Sequence, residues 1–399
     1  MSGRPRRISF VTTSRADYGH LYWPMKEVMQ APELDLSLIV LGSHLSPEFG
    51  RTVDEIERDG FPITDRIECL LSSDTDVGMA KTIGLATLSL AESLDRIRPD
   101  LLVLIADRYE MLAPASTALA LRIPIVHIEG GEVSEGAIDE AVRNALTKLS
   151  HIHLTPTETS RRRVLAMGEE AWRVHRVGAP SLDHLYRRQI PSRQEVEQDL
   201  GVDLTLPTVL VLYHPVTLAR DTTFESDSLY AALAGLDEQI IFCFPNADAG
   251  SRALIARSRR FCRRHPGAHL FINLPHLKYW ALLREVSVLV GNSSSGIMEA
   301  PSLGLPTVNV GIRQRGRERA RNIIDVTSET GAILEGIARA LQSDFRLSLK
   351  GLVNPYGDGH AAERIVKILT EVELGERLLI KPAVPLEPVV EPFPVAQES

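Results

Sequence analysis

Residues 101–149 hold two runs of consecutive apolar residues, LLVLI and IPIVHI, and each stops at charge: Asp107-Arg108 after the first, Glu129-Gly130-Gly131-Glu132 after the second. A strand that is apolar at every position must be covered on both faces, which suits a parallel sheet packed between helices. Residues 113–121 between the runs read as a helix, so the segment is one strand–helix–strand unit. In open α/β sheets, ligands bind in the crevice beyond the carboxyl ends of the strands. Asp107 and Glu129 are therefore expected to enter one cleft from one sheet edge. Asp139 and Glu140 fall early in the next helical stretch, AIDEAVRNALTKL, whose positive N-terminal end could face the same cleft. Acids also favour helix starts simply as caps, so Asp139 alone would say little; three carboxyl groups together read as an active site.

The same alternation runs along the whole chain. RISFVTTS is a first strand that ends at Arg15, where an arginine suits a phosphate, although a turn with a surface salt bridge fits equally well. LDLSLIVLGSHLS is a second, with His44 in the loop beyond it. HIHLTPT places His151 and His153 on one face, but no acidic or cysteine partner stands at a ligand spacing, and no metal is expected. RVHRVGAP closes the series at a Gly178-Ala179-Pro180 break, which bounds a first domain at residues 1–180. From Pro207 five further strand patterns follow, TVLVLYHP, QIIFCFPN, AHLFINLP, VSVLVGNSSSG and PTVNVGIR, a second domain over 181–372. Their ends carry His214, Asn246, Asp248, His276, Ser293, Ser294, Ser295 and Arg313. A chain of 399 residues suits this division. Residues 373–399, rich in Pro, Val and Glu, read as a disordered tail. The expected architecture is α/β: two Rossmann-like, doubly wound parallel-sheet domains facing a cleft.

Within the second domain, GNSSSG follows a buried strand and leads into IMEAPSLG. Small residues let the backbone approach a ligand, and hydroxyls with helix N-terminal amides donate to phosphate oxygens. A serine-capped turn would satisfy the same pattern. Glu299, one turn on, suits a ribose diol better than it suits capping. No nicotinamide fingerprint, Walker loop or HExxH motif occurs, and no serine or cysteine nucleophile stands beside a histidine. No cofactor is expected. What remains is acid–base chemistry on a phosphorylated, nucleotide-linked substrate. A net charge of -8 offers no nucleic-acid surface, three cysteines without ligand spacing suit a reducing compartment, and no run reaches membrane-spanning length, so a cytoplasmic protein with no membrane partner is expected.

With these residues assembled, the chain resembles the hydrolysing UDP-N-acetylglucosamine 2-epimerases through SRADYG (14–19), GSHLS (42–46), DRYEMLA (107–113), HIEGGEVSEGAIDEAVR (127–143), TKLSHIH (147–153), HPVT (214–217), FPNADAGS (244–251), GNSSSGIMEAP (291–301), GIRQRGRER (311–319) and YGDGHAAERI (356–365). The resemblance implies a glycosyltransferase-B type fold, a homodimer or homotetramer, and release of UDP with N-acetylmannosamine or a deoxy-diacetamido analogue for sialic- or legionaminic-type sugars. It implies that Asp107, Glu129 and Asp139 are catalytic and that His214 assists at the leaving diphosphate. Arg15, Arg108, Asn246, Ser293, Ser294, Glu299 and Arg313 match positions that hold UDP in the family; His44, Arg143 and Ser295 are further candidate substrate-binding residues, with Arg108 and Arg143 expected to position charge. Family members often carry glycine where Ala106 stands and histidine where Asn144 stands. A non-hydrolysing UDP-sugar 2-epimerase, a glycosyltransferase of the same fold and an inactive nucleotide-sugar sensor are the alternative readings.

Overall fold

The computed structural model describes residues 4–71, 75–134, 138–187, 189–214, 226–244, 251–272 and 274–383. Its strands are β1 (Arg6–Thr12), β2 (Leu34–Leu41), β3 (Ile63–Ile67), β4 (Leu101–Ile105), β5 (Ile125–Ile128), β6 (Ile152–Thr155), β7 (Val174–Arg176), β8 (Thr208–Leu212), β9 (Gln239–Phe244), β10 (Ala268–Ile272), β11 (Val288–Gly291), β12 (Thr307–Val310) and β13 (Ile323–Val326). The first seven form one sheet in the order β3-β2-β1-β4-β5-β6-β7, and the last six form a second in the order β10-β9-β8-β11-β12-β13. Every pairing is parallel. Strand order reverses between β1 and β4 and again between β8 and β11. These reversals open a crevice at the strands' carboxyl ends, where the loops on either side diverge.

Burial explains why the strand patterns do not alternate. Every residue of β4, β5, β8, β9, β11 and β12 is buried. In the second sheet successive residues feed separate clusters: Val209 and Val211 pack on one face with Phe242 and Val290, while Leu210 and Leu212 pack on the other with Ile241 and Leu289. Two helical layers therefore cover each sheet, and an apolar residue is needed at each position.

The expected division at residues 180 and 372 misplaces the end of the chain. The helix Ala361–Glu371 returns to the first domain, where Ile365 and Leu369 join the core of the first sheet. The Asp183 carboxylate caps that helix by accepting from the Ala361 and Ala362 amides, both at 2.9 Å. Nor does disorder begin at 373. Glu376–Leu379 forms a short helix, Leu378 is fully buried in the same core, and the buried Arg173 guanidinium donates to the carbonyls of Arg377, Leu378 and Ile380 at 2.7–2.9 Å. Composition could not reveal this, because the receptor for the tail lies some two hundred residues earlier. Residues 384–399 lie outside the described residues. Among the described residues no helix is long and apolar enough to cross a membrane.

Candidate active site

One cavity lies between the carboxyl edges of the two sheets. Its first-domain wall includes Arg15, His20, Asp107, Arg108 and Asp139, and its second-domain wall includes His214, Tyr279, Ser293, Ser294, Ser295, Glu299, Arg313 and Arg317. Carboxylates and guanidinium groups thus share one crevice, the combination that proton transfer on an anionic substrate requires.

The chain delivers the acids by turning sharply where two neighbouring strands end. Ala106 after β4 and Glu129 after β5 both adopt left-handed backbone, with φ of 55° and 66°. Such conformations cost a residue bearing a Cβ about 1–2 kcal/mol and tend to occur at functional sites. Here each is pinned to a neighbour. The Ala106 amide donates to the Ile128 carbonyl at 2.9 Å, the Ala106 carbonyl lies 2.9 Å from His127 Nε2, and the Glu129 amide donates to the Leu154 carbonyl at 2.8 Å.

Asp107 reaches the cavity and is held from behind by Arg143, which is 1% exposed. The same guanidinium donates to the Glu132 carbonyl, Glu140 Oε2 and Ser134 Oγ, each at 3.0 Å. Burial, with Arg317 and Arg313 nearby, pulls the pKa of Arg143 well down. Ion pairs with Asp107 and Glu140 hold the guanidinium in place. Arg143, a candidate substrate-binding residue expected to position charge, thus stands behind the cavity wall rather than on it. Glu132 supports the same loop: it accepts from Ser160 Oγ and, at 3.0 Å, from the Tyr356 hydroxyl.

Glu129 also sits behind the wall. Its Oε1 lies 2.7 Å from His20 Nδ1, and it is His20 that lines the cavity. Burial opposes ionisation of Glu129, but His20 and then Arg317 outweigh it and hold its pKa below the usual carboxylate range. Burial likewise disfavours the His20 cation, yet Glu129 overrides it and takes the pKa up to about 9. Asp139 opens the helix Asp139–Leu149 and lines the cavity directly.

In the second domain Gly291 has φ 144°, and a Cβ there would lie 2.0 Å from the Leu212 carbonyl oxygen, so only glycine fits the turn out of β11. Asn292 bonds both backbone groups of His214, accepting from its amide at 2.7 Å and donating to its carbonyl at 2.9 Å. This ties the ends of β8 and β11 together. The helix after GNSSSG is a single turn, Ser295–Met298, followed by the 3-10 turn Ala300–Leu303. Pro301, without an amide hydrogen, cannot continue the α-helix. A one-turn helix has little macrodipole, so the donors this turn offers to the cavity are the Ser293 and Ser294 hydroxyls and the nearby arginines more than a helix terminus. Ser295 lines the cavity but donates its hydroxyl to Glu299 and also contacts the Tyr279 hydroxyl. Burial raises the pKa of Glu299, a rise that His20 opposes and Glu129 reinforces.

Two further expectations change. His44 is fully buried between Thr12 Oγ1 at 2.9 Å and Thr52 Oγ1 at 2.7 Å, away from the cavity wall, and burial takes its pKa down to about 3. It braces the first loop. Asn246 lies outside the described residues. Arg15, Arg108 and Arg313 do line the cavity: Arg15 pairs with Glu55 at 2.7 Å, Arg108 forks onto Glu110, and Arg313 donates to the Asn292 carbonyl at 3.0 Å. Glu55 also approaches His276 of the second domain at 3.3 Å, so one carboxylate bridges the cleft. The sequence reading missed His20, Tyr279 and Arg317. His20 directly follows SRADYG, and Arg317 falls inside GIRQRGRER, but neither position shows from pattern alone that it faces the cleft. Arg317 spans the domains by donating to the Val133 carbonyl at 2.7 Å.

Residues 26–370 match the family model described as UDP-N-acetylglucosamine 2-epimerase. The chain is 38% identical over 377 residues to the hydrolysing UDP-N,N'-diacetylbacillosamine 2-epimerase of Legionella pneumophila, covering 94% of this chain and 98% of that one. It is 36% identical over 323 residues to the hydrolysing GDP/UDP-N,N'-diacetylbacillosamine 2-epimerase of Campylobacter jejuni, covering 80% and 84% respectively. Among solved structures, the UDP-GlcNAc 2-epimerase of Neisseria meningitidis bound to UDP-GlcNAc superposes with a TM-score of 0.77 at 19% identity, over 92% of this chain and 100% of that chain. At that identity the likeness shows a shared fold.

Proposed function

We infer that this chain, which belongs to the UDP-N-acetylglucosamine 2-epimerase family, is a hydrolysing epimerase that converts a UDP-linked 2-acetamido sugar into free UDP and the 2-epimeric sugar. The observation that carries this reading is the convergence of Asp107 and Asp139 from one sheet edge with Ser293, Ser294 and Arg313 from the other on a single cavity. Both relatives named above act on diacetylbacillosamine nucleotides. The proposed substrate is accordingly UDP-2,4-diacetamido-2,4,6-trideoxyglucose, with UDP-N-acetylglucosamine as the competing candidate.

The chemistry explains the arrangement. No carbonyl acidifies the proton on C2 of such a sugar, so the bond from C1 to the diphosphate breaks first. As UDP leaves, positive charge grows at C1, the C2 proton becomes removable and a 2-acetamidoglucal forms. Arg15, Arg108, Arg313, Ser293 and Ser294, which line the cavity, stabilise the departing diphosphate in this reading, an electrostatic contribution that usually dominates such catalysis. His214, whose backbone Asn292 holds, assists at the same end. Asp107 is the proposed base at C2, and Asp139 assists the water that adds to C1. General acid–base groups contribute about 10²- to 10⁴-fold each, or about 3–5 kcal/mol of barrier.

The test is to offer both UDP-sugars in deuterium oxide and measure free UDP together with deuterium at C2. The reading requires stoichiometric UDP and free sugar, deuterium at C2, and an Asp107→Asn variant slowed at least about 100-fold. A UDP-sugar epimer without free UDP would indicate a non-hydrolysing epimerase. Product without deuterium would rule out elimination.

A further inference from the structure

We propose that His20 is a catalytic acid of the cleft, presented by Glu129, so that the proton transfer expected of Glu129 passes through the imidazole. The proposal rests on the hydrolysing-epimerase reading above.

Glu129 stands at the carboxyl end of β5, where a catalytic acid is expected, yet its side chain is 8% exposed and is not on the cavity wall. His20 occupies the wall in front of it and keeps 22% of its side chain exposed. With Nδ1 turned to the Glu129 carboxylate at 2.7 Å, Nε2 is the ring nitrogen offered to a bound molecule. An imidazole oriented by a buried carboxylate on one nitrogen and working through the other is a recurrent arrangement for proton transfer.

Both partners are held firmly. The helix Arg15–Gln30 begins with a capping box in which Asp17 accepts from the Thr13 hydroxyl at 2.6 Å and from the Thr13 and Ser14 amides at 3.1 Å. The Gly19 carbonyl, next to His20, lies 2.8 Å from His184 Nε2. Glu129 is fixed by its pinned left-handed backbone.

The surroundings favour the imidazolium. His20 faces Glu129 from the edge of β5, Glu299 from the turn after β11 and Asp17 on its own helix. Glu129 in turn faces Arg317 and His127. Other ionisable groups beside the helix are engaged elsewhere: His184 with Gly19 and Trp23, Lys26 with the Asp59 carbonyl, and Arg187 with Glu27 and Glu363. The resting dyad is therefore imidazolium and carboxylate, a proton donor at neutral pH.

That donor completes the reaction. Asp107 takes the C2 proton as the electron pair of the C1–O bond leaves with UDP. The His20 Nε2 proton then goes to C2 of the glucal, whose double bond supplies the pair for the new C–H bond. Water adds to C1, its proton returns to the imidazole, and the proton on Asp107 passes to solvent. Inversion at C2 needs groups on two faces, and Asp107 and His20 arrive from different elements, the end of β4 and the helix after β1.

The experiment uses the full chain with 13C-labelled histidine. The His20 signal is assigned by its loss in His20→Gln, followed through a pH titration, and compared in Glu129→Gln. UDP release and calorimetric UDP binding are measured alongside. We expect the wild-type imidazole to titrate near pH 9 and in Glu129→Gln at or below about 6.5. We expect His20→Gln and His20→Asn to lose about 100-fold or more in kcat with UDP affinity within about threefold, and the alkaline limb of the wild-type profile to vanish. If the wild type turns over while His20→Gln keeps its kcat, the proposal is overturned. A His20 midpoint near 6.5 that ignores Glu129 overturns it as well. A wild type that releases no UDP sinks the hydrolysing reading instead, and the titration then still decides whether the dyad exists.

Discussion

Lowering the pH from 7 to 5 should destabilise the first domain through three imidazoles buried in neutral form. His44 lies between two threonine hydroxyls, His127 has the Ala106 carbonyl 2.9 Å from its Nε2, and His151 accepts from the Ile125 amide at 3.0 Å. Burial takes their pKa values down to about 3, about 4 and about 4, with Lys381 and Arg173 adding to the effect at His151. The sign follows from linkage. An unfolded histidine titrates near 6.5, so below that pH the unfolded chain binds protons that the folded chain refuses, and stability present above 6.5 is lost as the pH falls. At pH 5 each of the three costs about 2 kcal/mol. His20 works the other way, because a folded pKa of about 9 lies above the unfolded value. Its contribution is full below 6.5 and fades as pH rises through 9, so it gains about 1 kcal/mol over the same interval. Glu169 and Asp358, both lowered to about 2, lose their contributions only below the ordinary carboxylate range and leave this window clear. The net loss is several kcal/mol, a large part of the about 5–15 kcal/mol that holds most proteins folded. Urea unfolding followed by the three tryptophans at pH 7 and pH 5 measures it. His44→Gln should remove about 2 kcal/mol of the pH difference. Equal urea midpoints at the two pH values would refute the reasoning.

Gly291→Ala forces a Cβ to 2.0 Å from the Leu212 carbonyl oxygen at φ 144°, so calorimetry should show a loss of about 3 kcal/mol or more together with weakened UDP binding. Ala106→Gly removes a Cβ from left-handed backbone at φ 55°; the relief of about 1–2 kcal/mol, less about 0.4–1 for the freer unfolded chain, should raise Tm slightly with turnover nearly unchanged. Arg173→Ala strips three tail carbonyls, and that of His151, of a charged donor, each such bond being worth about 1.5–3 kcal/mol, and should make residues 376–383 the first point of proteolytic cleavage, read by mass spectrometry.

The fold was readable because the signal that specifies it is local. LLVLI and IPIVHI, apolar at every step but Pro124 and His127, required cover on both faces, and every residue of β4 and β5 is buried. The strand-end acids were readable for the same reason, since a strand's end fixes which sheet edge a residue leaves. Misreadings arose where a side chain's surroundings come from distant segments. His44 stands at a loop position that looks like a binding residue, yet it turns inward to two threonines that pattern cannot display. Arg173 and the tail show the same failure.

Residues 101–149 and GNSSSG, with the strand patterns around them, taken as sequence alone, pointed to two parallel-sheet domains, a cleft between them, and strand-end carboxylates facing a serine-rich turn. Only tertiary structure decided which groups stand at the cavity surface. Glu129 leaves its strand at the right edge, but its backbone turns it behind His20, a residue more than a hundred positions earlier. Apolar periodicity reports which face of an element is buried. The order in which polar side chains stack toward a cavity depends on backbone angles and charges contributed by other elements, and that order puts Asp107 on the cavity wall and Glu129 behind an imidazole.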